Sequence, residues 1–296
     1  MKKEHKERKH KEKVEALKAS LPDIQKKSDK RGITINRVGV ENVDFKLNIL
    51  GKDGSHIPVT AKVDIFVSLN HVFKGVNMSR FVEALMEWKD IDVLSDDGIK
   101  ALLCDVQKRM GQKVVDSYIK IKFKYFMDKT APVSLQDSVV AYDCWFIGVL
   151  KNNRFQFTVG TEILMTSNCP CSREISTFGS HGQRSRCTVV LEPSGDKKFW
   201  LEDLIPLIES QGSCEIYPLL KRVDEKFVTE RSYKNAKFVE DIGRDISKAL
   251  QGCNRVKRFK IKVCNEESIH YHDAVAYIAR KLRGDRWVSD DKSLRS

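Results

Sequence analysis

The sequence has few of the features that mark membrane, secreted or low-complexity proteins. Only seven prolines and 16 glycines occur in 296 residues, which excludes collagen-like and proline- or glycine-rich chains. The longest apolar run, residues 145–150, is far below the roughly 20 residues that span a bilayer. Residues 1–13 lack the apolar segment of a secretory signal. We therefore expect no membrane partner and a cytoplasmic location, where the eight cysteines are thiols, core residues or ligands.

Motifs of nucleic-acid-binding and dinucleotide-binding proteins are also missing. The chain has no zinc-finger, homeodomain or RNA-recognition signature and no glycine-rich dinucleotide fingerprint. It nevertheless has a formal net charge of +12, and residues 1–13 alone hold seven Lys or Arg against three Glu. A basic surplus favours anionic partners such as nucleic acid or phosphorylated metabolites. We interpret residues 1–20 as a solvated basic tail and do not expect nucleic acid as the partner; contact of this tail with nucleic acid is the alternative.

Hydrophobic periodicity predicts one structural pattern that occurs twice. Two alternating segments, two helical segments and two further alternating segments follow one another in residues 43–49, 57–69, 79–86, 99–110, 119–123 and 139–150. After a turn at Asn152 and Asn153, the order repeats in residues 155–165, 187–191, 200–210, 237–250, 259–263 and 274–278. We predict an α+β fold of two ββααββ modules, each an antiparallel sheet with two helices on one face. The predicted divisions are a tail (1–20), a first module (21–152), a second module (153–282) and a polar C-terminal tail (283–296).

Two long connections in the second half contain residues that could carry chemistry. Residues 166–184 include Cys169, Cys171 and His181, and thiolate and imidazole are common ligands of Zn²⁺ or Fe²⁺. The alternative is two buried cysteines and a surface histidine. The other connection, residues 211–234, is dense in charge, and its alternative interpretation is a solvated loop with local ion pairs.

Three further segments allow both a functional and a structural interpretation. Glu240 precedes a helix, where an acidic residue stabilises the helix dipole, but its carboxylate could equally accept two N–H donors of a guanine. His270 could transfer protons or could simply lie in a polar turn. Lys74 and Arg80 flank a helix start that could bind phosphate, although that signal is weak by itself.

Nine short segments taken together resemble the type IB GTP cyclohydrolases. They occur in the order found in that family and comprise residues 21–25, 74–80, 169–176, 181–184, 217–222, 224–226, 228–230, 238–241 and 265–270. The resemblance implies the tunnelling fold, in which ββααββ modules assemble into a barrel, and a homotetramer with active sites at subunit interfaces. It also implies conversion of GTP and water to formate and 7,8-dihydroneopterin triphosphate, the first step toward tetrahydrofolate.

The resemblance assigns roles to individual residues. It makes Cys169, His181 and Glu225 the ligands of one divalent metal (Zn, Mn or Fe), with Cys171 beside the metal and His270 a proton shuttle, so that Cys169, Cys171 and His270 are the catalytic group. It places guanine against Glu240 and lines the pocket with Glu267 and Ser268. The candidate triphosphate contacts are Lys74, Arg80, Arg184, Lys221, Arg222 and Lys226.

The chain departs from the family pattern at Ser180 and Gly182 in the His181 loop and at Val223, where relatives often have alanine, asparagine and proline. Three other functions stay open. An archaeal branch of the same family yields a cyclic phosphate product. A tunnelling-fold reductase would need a cysteine nucleophile and NADPH. A basic nucleic-acid-binding protein with a structural metal site would bind with steep salt dependence.

Overall fold

The computed structural model describes residues 5, 9–10, 12–14, 16–17, 20–22, 24–88, 93–195 and 198–294. Ten strands form one antiparallel sheet: numbered along the chain, they lie side by side in the order 1-2-3-4-5-6-8-9-10, and the short seventh strand pairs with the fifth. The predicted α+β class is confirmed. Most of the predicted N-terminal tail lies outside the described residues, and those of its residues that are described are helical.

The first half has the predicted order of elements. It contains β1 (Ile35–Leu50), β2 (His56–Leu69), α1 (Ser79–Trp88), α2 (Asp96–Met110), β3 (Ser117–Thr130) and β4 (Asp137–Lys151). Ser95 caps α2, because its hydroxyl accepts the N–H of Gly98 at 3.0 Å. The predicted turn at Asn152 and Asn153 joins β4 to β5, and both residues have positive φ, as a two-residue hairpin turn of type I′ requires.

The second half repeats this order with additions. It contains β5 (Arg154–Asn168), α3 (Pro170–Ile175), β6 (Gly182–Pro193), α4 (Leu201–Glu209), β7 (Cys214–Glu215), α5 (Arg222–Lys234), α6 (Val239–Gln251), β8 (Val256–Glu266), β9 (Ala274–Arg283), β10 (Arg286–Ser289) and α7 (Asp291–Leu294). None of the described helices is long and apolar enough to cross a membrane.

Alternation along the strands produces a single core on the helical side of the sheet. Val63, Ile65 and Val67 of β2 are fully buried, as are Ile163 and Met165 of β5. One cluster of buried residues extends through both halves. The two halves therefore share a sheet and a core, and the division at residue 152 into modules stays a prediction.

Two predicted irregular segments are regular in the structure. The connection 211–234, interpreted as a long loop, contains the 13-residue helix α5, in which only Asp224 and Ser232 are buried. A helix with so few buried positions lacks the apolar stripe that periodicity detects. The C-terminal segment, predicted as a frayed tail, forms β10 against β9, and Trp287 packs on Phe259 with ring centroids 5.2 Å apart.

Candidate active site

Residues 169–181, called here the Cys169 loop, connect the end of β5 to the start of β6. Cys169 is the N-cap of α3, and its Sγ accepts the N–H of Ser172 at 3.4 Å. Its own N–H donates to the carbonyl of His181 at 3.0 Å, and the Ser180 hydroxyl donates to the Cys169 carbonyl at 2.7 Å. These bonds hold Cys169 and His181 side by side. Cys171, on the first turn of α3, is exposed.

His181 is itself held by neighbouring polar side chains. Its Nδ1 lies 3.0 Å from Gln183 Oε1 and 3.9 Å from Glu267 Oε2. Gln183 Nε2 in turn lies 3.3 Å from Glu267 Oε1. The predicted pocket residue Glu267 thus lies beside the predicted metal ligand His181. Ser268 and His270 follow it in the same connection and are exposed, with the His270 ring stacked on His272.

A cleft of about 500 Å³ opens between this loop and helix α5. Its walls include Asn168, Gln183 and Arg184 on one side and Val228 and Thr229 on the other. Arg184 also lines an adjoining cleft of about 380 Å³. The exposed Arg184 side chain is therefore the predicted phosphate contact that lies nearest to the Cys169 loop in the fold.

Helix α5 is fixed at both ends. At its start, Asp224 accepts N–H groups from Val133, Ser134 and Lys221 at 2.8–2.9 Å. Burial by itself raises the pKa of the Asp224 carboxyl, but these hydrogen bonds together with that of the Ser134 hydroxyl outweigh burial and leave the pKa well below its usual value. At the other end of α5, Arg173 of α3 donates to the carbonyls of the last two helical residues.

Glu225 is therefore separated from the Cys169 loop. It is exposed on the first turn of α5 with Lys221, Arg222 and Lys226 around it, whereas the Cys169 loop is tied to the C-terminal end of that helix. Among the described residues, no three His, Cys, Asp or Glu side chains are arranged to hold a metal ion. The chain thus brings together two of the three predicted ligands.

The remaining predicted residues lie at opposite ends of the strands of the sheet. Glu240 is exposed on the first turn of α6, close in sequence to Lys237, whose N–H donates to the Asn168 carbonyl at 3.0 Å. Lys74 and Arg80 instead follow the end of β2, beside the start of β3. β3 and β5 run in the same direction, so the start of β3 and the end of β5 lie at opposite ends of the strands. Lys74 and Arg80 are therefore at the end of the sheet opposite the Cys169 loop. Arg80 donates to the Arg109 carbonyl at the end of α2.

Two groups of buried polar residues have no signal in the sequence. Ser167, fully buried at the end of β5, accepts from Asn265 Nδ2 at 3.0 Å and donates to the Lys237 carbonyl at 3.0 Å. Glu209 of α4 accepts from Lys129 of β3 and Tyr142 of β4 at 2.7–2.8 Å, so this contact joins the two halves. Each group joins strands that are far apart in sequence, so composition and spacing could not identify it.

Known proteins resemble this chain in both sequence and fold. A family model described as "Type I GTP cyclohydrolase folE2" matches residues 21–276. A GTP cyclohydrolase FolE2 from Nitrosococcus oceani is 41% identical over 269 residues, 90% of this chain and 98% of the relative. The FolE2 of Geobacter sulfurreducens is 40% identical over 263 residues, 89% of this chain and 99% of the relative.

A solved structure with little sequence similarity has the same fold. The uricase from Arthrobacter globiformis superposes with a TM-score of 0.54 at 9% identity, over 87% of this chain and 97% of that chain. This likeness concerns the fold alone, and it confirms the predicted tunnelling-fold architecture.

Proposed function

The chain belongs to the type I GTP cyclohydrolase FolE2 family, and from that premise we propose how its residues carry out the reaction. It is a GTP cyclohydrolase of folate biosynthesis. We propose that it hydrolyses GTP at C8 and releases formate and 7,8-dihydroneopterin triphosphate. The observation that carries this proposal is the loop between β5 and β6, which holds Cys169 and His181 side by side through the bond from Cys169 N–H to the His181 carbonyl.

The donor set of this loop fits one divalent metal in part. Cys169 and His181 supply a thiolate and an imidazole, which suit Zn²⁺, Fe²⁺ or Mn²⁺ in a site completed by one carboxylate. We propose that the carboxylate is Glu225 of a second copy, because Glu225 of the same chain lies at the far end of α5. This arrangement agrees with a homotetramer whose sites lie between subunits. The metal, when bound, supplies an activated water for attack on C8.

The substrate's base and phosphates need different partners. Glu240 would accept two N–H donors from the guanine edge, with Glu267 and Ser268 lining the pocket. GTP carries several negative charges, which Arg184 beside the loop and the exposed cations of α5, Lys221, Arg222 and Lys226, would neutralise. Lys74 and Arg80 lie at the end of the sheet opposite the Cys169 loop, so they could contact the triphosphate only at a site shared with another copy.

Proton transfers accompany ring opening, loss of formate and closure of the pterin ring. His270 is exposed in the same connection between β8 and β9 as Glu267 and would move protons at the purine and ribose atoms. Cys171 would lie next to the metal on α3. We also propose a reducing, cytoplasmic location, since all eight cysteines are free thiols.

Neopterin fluorescence tests the reaction. The purified protein, loaded in turn with Zn²⁺, Mn²⁺ or Fe²⁺, is incubated with GTP, and the product is oxidised and measured. We expect metal-dependent fluorescence that is lost in Cys169→Ala and kept in Cys104→Ala, a matched control because Cys104 is an exposed thiol on α2. Chromatography of the product separates a linear triphosphate from a cyclic phosphate. No product with any of the three metals would contradict the proposal.

A further inference from the structure

Three polar side chains lie behind His181, on the side where its Nδ1 points. Gln183 Oε1 is 3.0 Å from that Nδ1, while Gln183 Nε2 is 3.5 Å from Ser167 Oγ and 3.3 Å from Glu267 Oε1. The His181 and Glu267 side chains are 14% and 10% exposed, and Ser167 is fully buried. Gln183 is thus held between the imidazole and two oxygen atoms.

The hydroxyl of Ser167 has a single proton, and its direction is determined. Ser167 Oγ lies 3.0 Å from the Lys237 carbonyl, which can only accept a hydrogen bond. The Ser167 proton must therefore point to Lys237. Every other neighbour of Ser167 Oγ has to donate to it, as Asn265 Nδ2 does at 3.0 Å.

The orientation of Asn265 agrees with this direction. Asn265 is 2% exposed, and its Oδ1 has no hydrogen-bond partner among the described residues. Turning the amide around would place two acceptors, Asn265 Oδ1 and Ser167 Oγ, against each other. Asn265 therefore donates to Ser167 through Nδ2, and its Oδ1 has no partner among the described residues. This is the amide orientation that follows when the Ser167 proton points to the Lys237 carbonyl.

The same reasoning orients Gln183 and then His181. The two ends of an amide look alike, so the neighbours decide its orientation. Ser167 and the carboxylate oxygen of Glu267 at 3.3 Å are both acceptors toward Gln183, so Nε2 faces them and Oε1 faces His181. Because Oε1 only accepts, Nδ1 of His181 carries the hydrogen, and Nε2 of the neutral imidazole keeps the free lone pair.

We propose that Gln183, oriented by Ser167 and Glu267, is a positioning residue that fixes the tautomer of His181 and presents its Nε2 to the metal. The inference rests on the proposed metal-binding role of His181. Histidine ligands commonly donate their second ring N–H to a neighbouring acceptor, and loss of that acceptor lowers metal affinity by roughly 10–100-fold. Here the acceptor is an amide whose direction is set by a backbone carbonyl.

The tautomer is measured in the metal-free protein by solid-state ¹⁵N NMR with ring-labelled histidine. The measurement is made near pH 8, above the ordinary imidazole pKa of about 6.5, and His181→Ala identifies the signal. We expect a protonated Nδ1 in the wild type and a mixture of tautomers in Gln183→Leu. Ser167→Ala should show a smaller share of the second tautomer, because Glu267 still orients Gln183. Gln183→Glu should keep Nδ1 protonated, since a carboxylate still accepts. A merely structural role would make both Gln183 variants behave alike.

Zinc affinity, measured by competition with a chromophoric chelator, gives a second readout. We expect affinity to fall roughly 10–100-fold in Gln183→Leu, which removes the acceptor, and by less in Ser167→Ala. Ser213→Ala is the matched control: Ser213 is also fully buried and accepts the Asn168 N–H at 3.1 Å, but it does not contact Gln183. Its affinity should equal that of the wild type.

The inference is overturned if Gln183→Leu keeps the wild-type tautomer, or if Gln183→Glu changes it as much as Gln183→Leu does. Neither measurement involves GTP. A protein that passes both tests and forms no neopterin would contradict the proposed function alone, whereas an active protein with an unchanged tautomer in Gln183→Leu would contradict only the role of Gln183.

Discussion

Mixing two inactive variants tests whether Glu225 completes the metal site of a second copy. Asn168, next to Cys169, bonds to Lys237 just beyond the C-terminal end of α5. Glu225 lies nine residues before Lys234, the last residue of α5. At a rise of 1.5 Å per residue, that is about 13.5 Å along the helix axis. We therefore expect Cys169→Ala and Glu225→Ala to inactivate different halves of one shared site.

The expected recovery follows from counting sites. In oligomers reassembled from equal amounts of the two variants, a working site needs Cys169 from a Glu225→Ala subunit and Glu225 from a Cys169→Ala subunit. With random assembly of a symmetric oligomer, about one quarter of the sites meet both conditions. Neopterin formation should then rise from near zero for each variant to about 25% of the wild-type rate.

A second mixture controls for unspecific rescue. Cys169 and His181 come from the same loop of one chain, so Cys169→Ala mixed with His181→Ala should recover nothing. Subunits with two different affinity tags, unfolded and refolded together, allow hybrid oligomers to be isolated in both mixtures. If verified hybrids of Cys169→Ala and Glu225→Ala stay inactive while reassembled wild type is active, the shared site is refuted.

Two further predictions concern stability. Lys129→Met leaves the Glu209 carboxylate without its cation, and because the Lys129 and Glu209 side chains are only 11% and 8% exposed, the change should cost about 3–5 kcal/mol. Lys129→Met combined with Glu209→Leu should cost less, as thermal unfolding at fixed protein concentration would reveal. Equal losses in both variants would contradict this interpretation. The pKa of Asp224 is lowered in the folded state, so its carboxylate contributes to the free energy of unfolding. This contribution is present above the unfolded pKa of about 4 and is lost as the pH falls toward the folded pKa. Asp224→Asn should therefore weaken the acid dependence of the unfolding midpoint, and an unchanged dependence would argue against this role.

Much of the fold follows from local patterns. Alternation in residues 57–69 predicts β2 (His56–Leu69) almost to the residue, because burial of one strand face imposes a period of two. Helix α2 is similarly evident from Ile99, Leu102 and Leu103, which are all buried against the sheet. Helix α5 is not evident, because its stability comes from its fixed ends and from ion pairs such as Lys226–Glu230 at 2.8 Å rather than from an apolar face.

The sequence by itself determined the family and the residue types of the site. Short motifs suffice for this, since the loop around Cys169 and His181 is local in the chain and its chemistry depends on which side chains it contains. The tertiary structure decided which of these residues meet. It separates Glu225 from Cys169 by the length of a helix, and it orients Gln183 through Ser167, Glu267 and a backbone carbonyl. Such relations join strands and helices that are distant in sequence, and only packing sets their distances and the direction of their hydrogen bonds.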